Sequence, residues 1–158
     1  MRMSEEQKTR NAVDSFQAVI GLALRLRNRM DERLRPDGLT TQQAALLTAV
    51  DHLGGPSLGE AAVFLGSTHQ NVAQLVTALE RKGMLSTEPD PADRRRRVLR
   101  TTTVSAAYWE ARNAGDHAAV AGWFSALSEE ELAVFRDLVV RLHRSQMSPP
   151  GKGENVAD

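Results

Sequence analysis

The sequence predicts a mainly α-helical fold, a winged helix-turn-helix with long helices at both ends. Three observations support this prediction. Two short amphipathic segments separated by a glycine lie between Ser57 and Gly83. A turn rich in proline and aspartate follows them, together with four consecutive arginines, as expected for a hairpin with a basic tip. Stretches with the apolar periodicity of a helix flank this centre on both sides.

The composition is typical of one globular domain. The chain has 158 residues, and its 20 basic and 20 acidic side chains give no net charge. It contains no cysteine, which excludes disulfides, cysteine-based zinc sites and thiol redox chemistry. No apolar run approaches the roughly 20 residues that span a bilayer, and the N-terminal residues lack the apolar core of a signal peptide. We expect a soluble, cytoplasmic protein that makes no membrane contact.

A long helix is predicted from about residue 10 to residue 35, after a polar, frayed start. Its apolar residues form a band too wide for one buried face, so it must bury more than one side. We expect the second side to pack on another subunit. Burial within a single monomer is the alternative. The band includes Val13, Phe16, Val19, Ile20, Leu22 and Leu24.

Local signals place the next two helices. Thr40 and Gln43 form a capping box, the reciprocal pair of hydrogen bonds that starts a helix. The glycines and proline at 54–56 end that helix. Ser57 and Glu60 form a second capping box and begin a short helix that ends at Gly66.

The helix that follows separates an apolar face from a short polar one. Either Thr68, or Ser67 with Gln70, is expected to cap it. The polar face contains no acid, and glutamine or asparagine there can bond adenine through two hydrogen bonds. The alternative is that this face is an ordinary solvated surface without a binding role. We predict DNA contacts by Ser57, Thr68, His69, Gln70, Asn71 and Gln74, with Ser57 and Thr68 as caps that also contact phosphate.

A basic hairpin is predicted after this helix. Seven basic residues against three acidic ones lie between Arg81 and Arg100. Residues 84–88 are expected to form a strand and 89–93 a turn. The alternative is a solvated charge run, although four adjacent arginines repel one another without an anionic partner. Phosphates or a minor groove are the expected partners of Arg94, Arg95, Arg96 and Arg97.

The C-terminal part predicts two more helices. The first begins near residue 103, and its two glycines, Gly115 and Gly122, predict a kink or a break. Ser128 and Glu131 form a third capping box, which starts a last helix that ends near residue 147. Residues 148–158 are polar and are expected to be disordered.

The segment from Leu58 to Arg97 resembles the multiple-antibiotic-resistance regulator (MarR) family of winged helix-turn-helix transcription regulators. The resemblance rests on LERKG at 79–83, DPADRR at 90–95 and LTTQQ at 39–43. It covers about residues 10–147 and implies a single domain. The DNA-binding core would span 39–101, with the helix-turn-helix at 57–83 and the wing at 84–101. Dimerisation helices would span about 10–35 and 103–147.

The resemblance implies a homodimeric, sequence-specific regulator of transcription. A two-fold pair of recognition helices about 34 Å apart would bind a palindromic operator on double-stranded DNA. The simplest action is repression, relieved by a small lipophilic or phenolic ligand. The alternative is a dimeric winged-helix module that binds DNA non-specifically, or binds protein, without a ligand. Candidate pocket residues are Phe16, Ile20, Leu46, Val50, Tyr108, Trp109 and Arg112.

The chain departs from the family pattern at several positions. The family usually has leucine at Ala61, an apolar residue at Ser67 and arginine at Thr87. A Leu-Thr-x-x-Gly run usually occupies the positions of Thr101 to Ser105. These differences predict a thinner helix-turn-helix core and a wing without the ion pair near its base.

No motif for catalysis or metal binding is present in the sequence. The histidines at 52, 69, 117 and 143 have no partner at a metal-ligand spacing. Neither a glycine-rich phosphate loop nor a G-x-S-x-G nucleophile motif occurs. We therefore predict no catalytic residue, no metal and no cofactor.

Overall fold

The structure is a computed structural model, and it describes residues 4–147. It confirms the predicted mainly α-helical fold with a two-stranded wing. The predicted disorder of 148–158 lies outside the described residues. The elements, in order, are α1 (Glu5–Leu34), α2 (Thr41–Leu53), α3 (Leu58–Leu65), α4 (His69–Arg81), β1 (Leu85–Pro89), β2 (Arg97–Thr101), α5 (Thr103–Trp123) and α6 (Glu129–Met147).

The chain divides into two compact units, one up to Ala44 and one from Ala45. In the first unit, α1 begins at Glu5, so the predicted start near residue 10 is wrong. The Ser4 hydroxyl accepts a hydrogen bond from the Gln7 backbone N–H at 3.2 Å. Two glutamates in the first turn also favour this start, because they complement the helix dipole.

The local signals for helix starts are confirmed by the side-chain geometry. In each predicted capping box, the hydroxyl accepts from the backbone three residues on, and the acid or amide accepts in return. The helix α4 is capped by Thr68, whose hydroxyl accepts from the Asn71 N–H at 3.1 Å. The three boxes are Thr40 with Gln43, Ser57 with Glu60, and Ser128 with Glu131.

The core of the second unit joins α2, α3, α4 and the hairpin. Ala61, at the position where the family usually has leucine, is fully buried in this core. Because the inner face of α4 is buried, its opposite face is left to solvent. The buried apolar residues of this core include Leu46, Leu47, Val50, Ala61, Ala62, Val72, Val76, Leu79, Met84, Leu85, Val98 and Leu99.

The hairpin is joined to the helix-turn-helix through the backbone. Its strands are antiparallel, with Leu85 opposite Thr101 and Pro89 opposite Arg97. The Leu99 N–H donates to the Pro56 carbonyl at 2.8 Å, so β2 runs beside the residues that lead into α3. This bond fixes the base of the wing relative to the start of the helix-turn-helix.

The two C-terminal helices are long and largely exposed. The helix α5 continues through Gly115, so no break occurs there. It ends at Trp123, directly after Gly122. No residue of α6 is buried. None of the described helices is long and apolar enough to cross a membrane. Large apolar residues of α6 that remain exposed are Leu132, Val134, Leu138, Val139, Val140 and Leu142.

Candidate DNA-binding surface

The outer face of α4 is polar, exposed and free of acids through its first three turns. Gln70, Gln74 and Thr77 are exposed, and Ala73 is half-buried between them. This side of the helix lines a shallow groove of about 430 Å³, which Arg81 closes at the C-terminal end. A face of this size and polarity can lie against the base edges of a major groove.

Two of the predicted DNA-contacting side chains on α4 have contacts within the chain. The Asn71 side-chain amide donates to the Ser67 hydroxyl at 2.8 Å. The His69 imidazole lies against Gly59, where a methyl group would come within 3.0 Å of Nε2. The amides of Gln70 and Gln74, in contrast, have no hydrogen-bond partner among residues 4–147. These two amides are therefore the ones available to bases.

Two of the departures from the family pattern, Ser67 and Thr87, make local contacts of their own. Ser67 accepts the Asn71 bond, so it gives the turn between α3 and α4 a polar link. The Thr87 hydroxyl donates to the Glu80 carboxylate at 2.7 Å, which joins the wing to α4 where an ion pair was expected to be lacking. Ser105 is buried, and its hydroxyl has no hydrogen-bond partner in the described part of the chain.

Two aspartates shape the tip of the wing. The Asp90 carboxylate accepts from the Ala92 N–H at 2.9 Å, and the Asp93 carboxylate accepts from the Arg95 N–H at 3.0 Å. The Arg96 carbonyl accepts from the Asp90 N–H at 2.8 Å. Such aspartate turns stabilise a tight loop, so the acids of the wing motif have a structural role.

The four arginines are not equivalent, although all are exposed. Arg96 forms an ion pair with Glu60 of α3 and lies 3.8 Å from the Asp90 carboxylate. Arg97 donates to the Thr87 carbonyl at 2.7 Å. The side chains of Arg94 and Arg95 have no partner within residues 4–147. The predicted phosphate contacts are therefore best supported for these two.

Glu60 links the first turn of α3 to the wing. The Ser57 N–H donates to its carboxylate at 2.7 Å. This bond and the Arg96 guanidinium lower the pKa of the Glu60 carboxyl below its usual value. The contacts of the ionised Glu60 carboxylate therefore stabilise the folded state above the usual carboxyl pKa of about 4.3. This stabilisation is lost as the pH falls below that value. At neutral pH the ionised Glu60 carboxylate holds Arg96, so a phosphate that bound Arg96 would have to compete with it.

Replacing Glu60 with glutamine is expected to release Arg96 for DNA. The amide oxygen can still accept from Ser57, but the charge that holds Arg96 is lost. The slope of log affinity against log salt on a random duplex should steepen by up to about 0.9 per protomer. Glu88→Gln is the matched control, because it removes one wing charge that holds no arginine. Equal slopes in the two variants would reject the competition.

The predicted pocket residues fall into three environments. In the first unit, Phe16 and Ile20 are exposed on α1, at 67% and 48%. In the second unit, Leu46 and Val50 are buried core residues. On α5, Tyr108, Trp109 and Arg112 are half-buried. The α5 group is the one with both aromatic and charged surface.

An ion pair missed by the sequence analysis organises the α5 group. Arg112 bonds Asp116 through two nitrogens, each at 3.1 Å, and Asp116 is buried. The guanidinium lies 5.5 Å from the centre of the Tyr108 ring, and that ring is 4.9 Å from the Trp109 ring. The spacing of four residues between opposite charges on a helix was the available signal. Residues 4–147 contain no cluster of three potential metal ligands.

The fold is a winged helix-turn-helix, which is the fold of a class of DNA-binding transcription regulators. A sequence model described as the MarR family matches residues 37–96. The match covers the helix-turn-helix and most of the wing, and it confirms the predicted resemblance to this family.

Three known proteins illustrate the similarity. BadR of Rhodopseudomonas palustris, named a transcriptional activatory protein, is 38% identical over 77 residues. That match covers 47% of this chain and 44% of BadR, so the chain spans less than half the length of this relative. The S. aureus MepR–DNA complex has a TM-score of 0.68 at 23% identity, over 82% of this chain and 95% of MepR. PcaV of Streptomyces coelicolor, solved with its natural ligand, has a TM-score of 0.63 at 26% identity, over 78% of this chain and 90% of PcaV.

Proposed function

We propose that the chain is a homodimeric, sequence-specific repressor that binds a palindromic operator and is released by a small-molecule ligand. The main support is the outer face of α4, where two unpartnered glutamine amides lie on a surface without acids. Arg94 and Arg95 on the wing supply the cationic contacts that hold such a face against a duplex. MepR, which has the same fold, was solved bound to DNA.

The proposed dimer is supported by the exposed apolar surface of the terminal helices. On α1, Val13, Phe16 and Val19 are each at least 49% exposed, and on α6 Leu138 is 48% exposed. Apolar residues that repeat along a helix and remain exposed indicate a protein interface. A two-fold dimer would present both α4 helices to successive major grooves on one side of the DNA.

The proposed ligand is a phenolic or other lipophilic anion, bound at the α5 group. The Arg112 guanidinium, which is already bonded to Asp116, would be shared with the ligand carboxylate, and Tyr108 and Trp109 would supply flat apolar surfaces. The relative PcaV was solved with a natural ligand. Release requires the ligand to favour a spacing of the two α4 helices that no longer matches the operator. A coupling of about 1–3 kcal/mol would be typical.

A non-specific winged-helix module is the second candidate. Arg94 and Arg95 of the wing favour this candidate, because contacts to phosphate carry no sequence information. Its affinity would depend on salt but not on sequence.

A binding titration separates the two candidates. The purified chain would be titrated with the duplex upstream of its own coding region and with a random duplex, at two salt concentrations. Selective binding, with two protected patches one helical turn apart in a footprint, supports the regulator. Equal affinity and no footprint on any genomic duplex would favour the module.

Transcription from the footprinted promoter tests the proposed sign of regulation. We expect the bound protein to lower transcript yield. A rise in transcript yield would mean that the protein activates transcription instead of repressing it. BadR is named as an activatory protein.

The ligand proposal predicts a fluorescence response from Trp109. In a Trp123→Phe variant, which leaves Trp109 as the single tryptophan, 4-hydroxybenzoate and salicylate should change the emission and release DNA. The paired change Arg112→Met with Asp116→Asn should abolish both effects without leaving a buried charge unpaired. If neither acid changes emission or DNA binding at millimolar concentration, the ligand class is wrong.

A further inference from the structure

We propose that the central base pairs of each operator half-site are A·T pairs. Gln70 and Gln74 would bond adenine through N6 and N7, and Ala73 and Thr77 would contact thymine methyl groups. This inference rests on the proposed sequence-specific function and names the class of DNA that the same surface recognises.

The chemistry of the α4 face favours adenine over guanine. In the major groove adenine presents an acceptor at N7 and a donor at N6, which match the donor and acceptor of a glutamine amide. Guanine presents two acceptors, which arginine or lysine matches best. From His69 to Glu80 the helix contains no arginine and no lysine. Arg81 lies in the last turn, away from the N-terminal residues that contact bases.

The spacing of the two glutamines allows both to reach bases within one half-site. Gln70 and Gln74 are four residues apart, so they lie on one face in successive turns, about 6 Å apart along the axis. A duplex rises about 3.4 Å per base pair. The two amides can therefore reach bases about two pairs apart without a change of register.

Thr77 presents a methyl group to this face. Its hydroxyl donates to the Ala73 carbonyl at 3.0 Å, so the donor is already used by the helix backbone. The methyl group remains for an apolar contact. Ala73 lines the same groove as the two glutamines. Thymine is the base that offers a methyl group in the major groove.

The neighbouring polar side chains do not compete for these positions. The Asn71 amide is bonded to Ser67, and the His69 ring lies against Gly59. The His69 ring contacts α3, and the Asn71 amide is bonded to the turn between α3 and α4. The two glutamines are thus the amides that this surface offers to bases.

The test begins with selection of duplexes from a random library by the full-length protein. The expected half-sites carry at least two central A·T pairs. In the selected duplex, 7-deaza-adenine removes only N7, and uracil in place of thymine removes only the methyl group. We expect 7-deaza-adenine in both half-sites to weaken binding by about 10-fold. Uracil should weaken binding by a smaller factor. Outside the central base pairs of the half-sites, neither analogue should change the affinity.

Two variants assign the contacts. In Gln74→Ala, one central adenine should lose its sensitivity to 7-deaza substitution while the other keeps it. Gln74→Arg should shift the preferred base at that position to guanine. Gln74 is exposed, so neither change should affect folding.

The possible failures are distinguishable. Selected half-sites with central G·C pairs, or central adenines that tolerate 7-deaza substitution, would overturn this inference while leaving a specific regulator. A library that yields no preferred sequence would overturn the proposed specificity and this inference together.

Discussion

Replacing Arg94 and Arg95 with alanine is expected to remove much of the salt dependence of DNA binding. These side chains have no partner within residues 4–147, so they can neutralise phosphates without breaking a contact inside the protein. A dimer would lose four such contacts, and the slope of log affinity against log salt should fall by about 3.6. Between 50 and 200 mM salt, the wild-type protein should lose about 150-fold more affinity than the variant.

The matched control removes the same charge from the same run. Arg96 and Arg97 are already bonded to Glu60 and to the Thr87 carbonyl, so the change of both to alanine should lower the slope less. The measurement is a titration of one duplex at several salt concentrations. Equal slopes in the two double variants would show that only the net charge of the wing matters.

The second large effect is expected from Val19→Glu on α1. Val19 is 50% exposed, so the change should be tolerated by the folded chain. In a two-fold dimer it would place two unpaired carboxylates in the interface, and each such charge costs about 3–5 kcal/mol. We expect the dimer dissociation constant to rise by at least about 100-fold, with a matching loss of affinity for a palindrome.

The control for this prediction is Gly21→Glu, which adds the same charge on the side of the helix away from the apolar band. Sedimentation equilibrium gives the dissociation constant, and circular dichroism verifies that each variant remains helical. A Val19→Glu protein with the same dissociation constant as the control would place the dimer interface away from this face of α1.

The features that sequence analysis predicted well are governed by neighbouring residues. The capping boxes at Ser57 and Ser128 depend on side chains three residues apart, so pattern and structure agree. The start of α1 is wrong in the prediction because Ser4 and two glutamates precede the first apolar residue, and apolar periodicity carries no information there.

The features that sequence analysis missed are side-chain contacts, one between distant residues and two between residues four apart. Arg96 and Glu60 are far apart in the chain, and nothing in a run of four arginines shows which one is paired. The engagement of Asn71 by Ser67 likewise follows from side-chain geometry in the turn. The Arg112 pair with Asp116 was accessible, because opposite charges four residues apart on a helix usually meet.

The ratio of affinities for a selected palindrome and for random duplex of equal length tests the central claim most directly. It should be measured at physiological salt, with the stoichiometry determined in the same titration. We predict a ratio of about 10³ or more, with two protomers on each palindrome. A ratio near one, or a single protomer bound with full affinity, would contradict a homodimer that recognises sequence through α4.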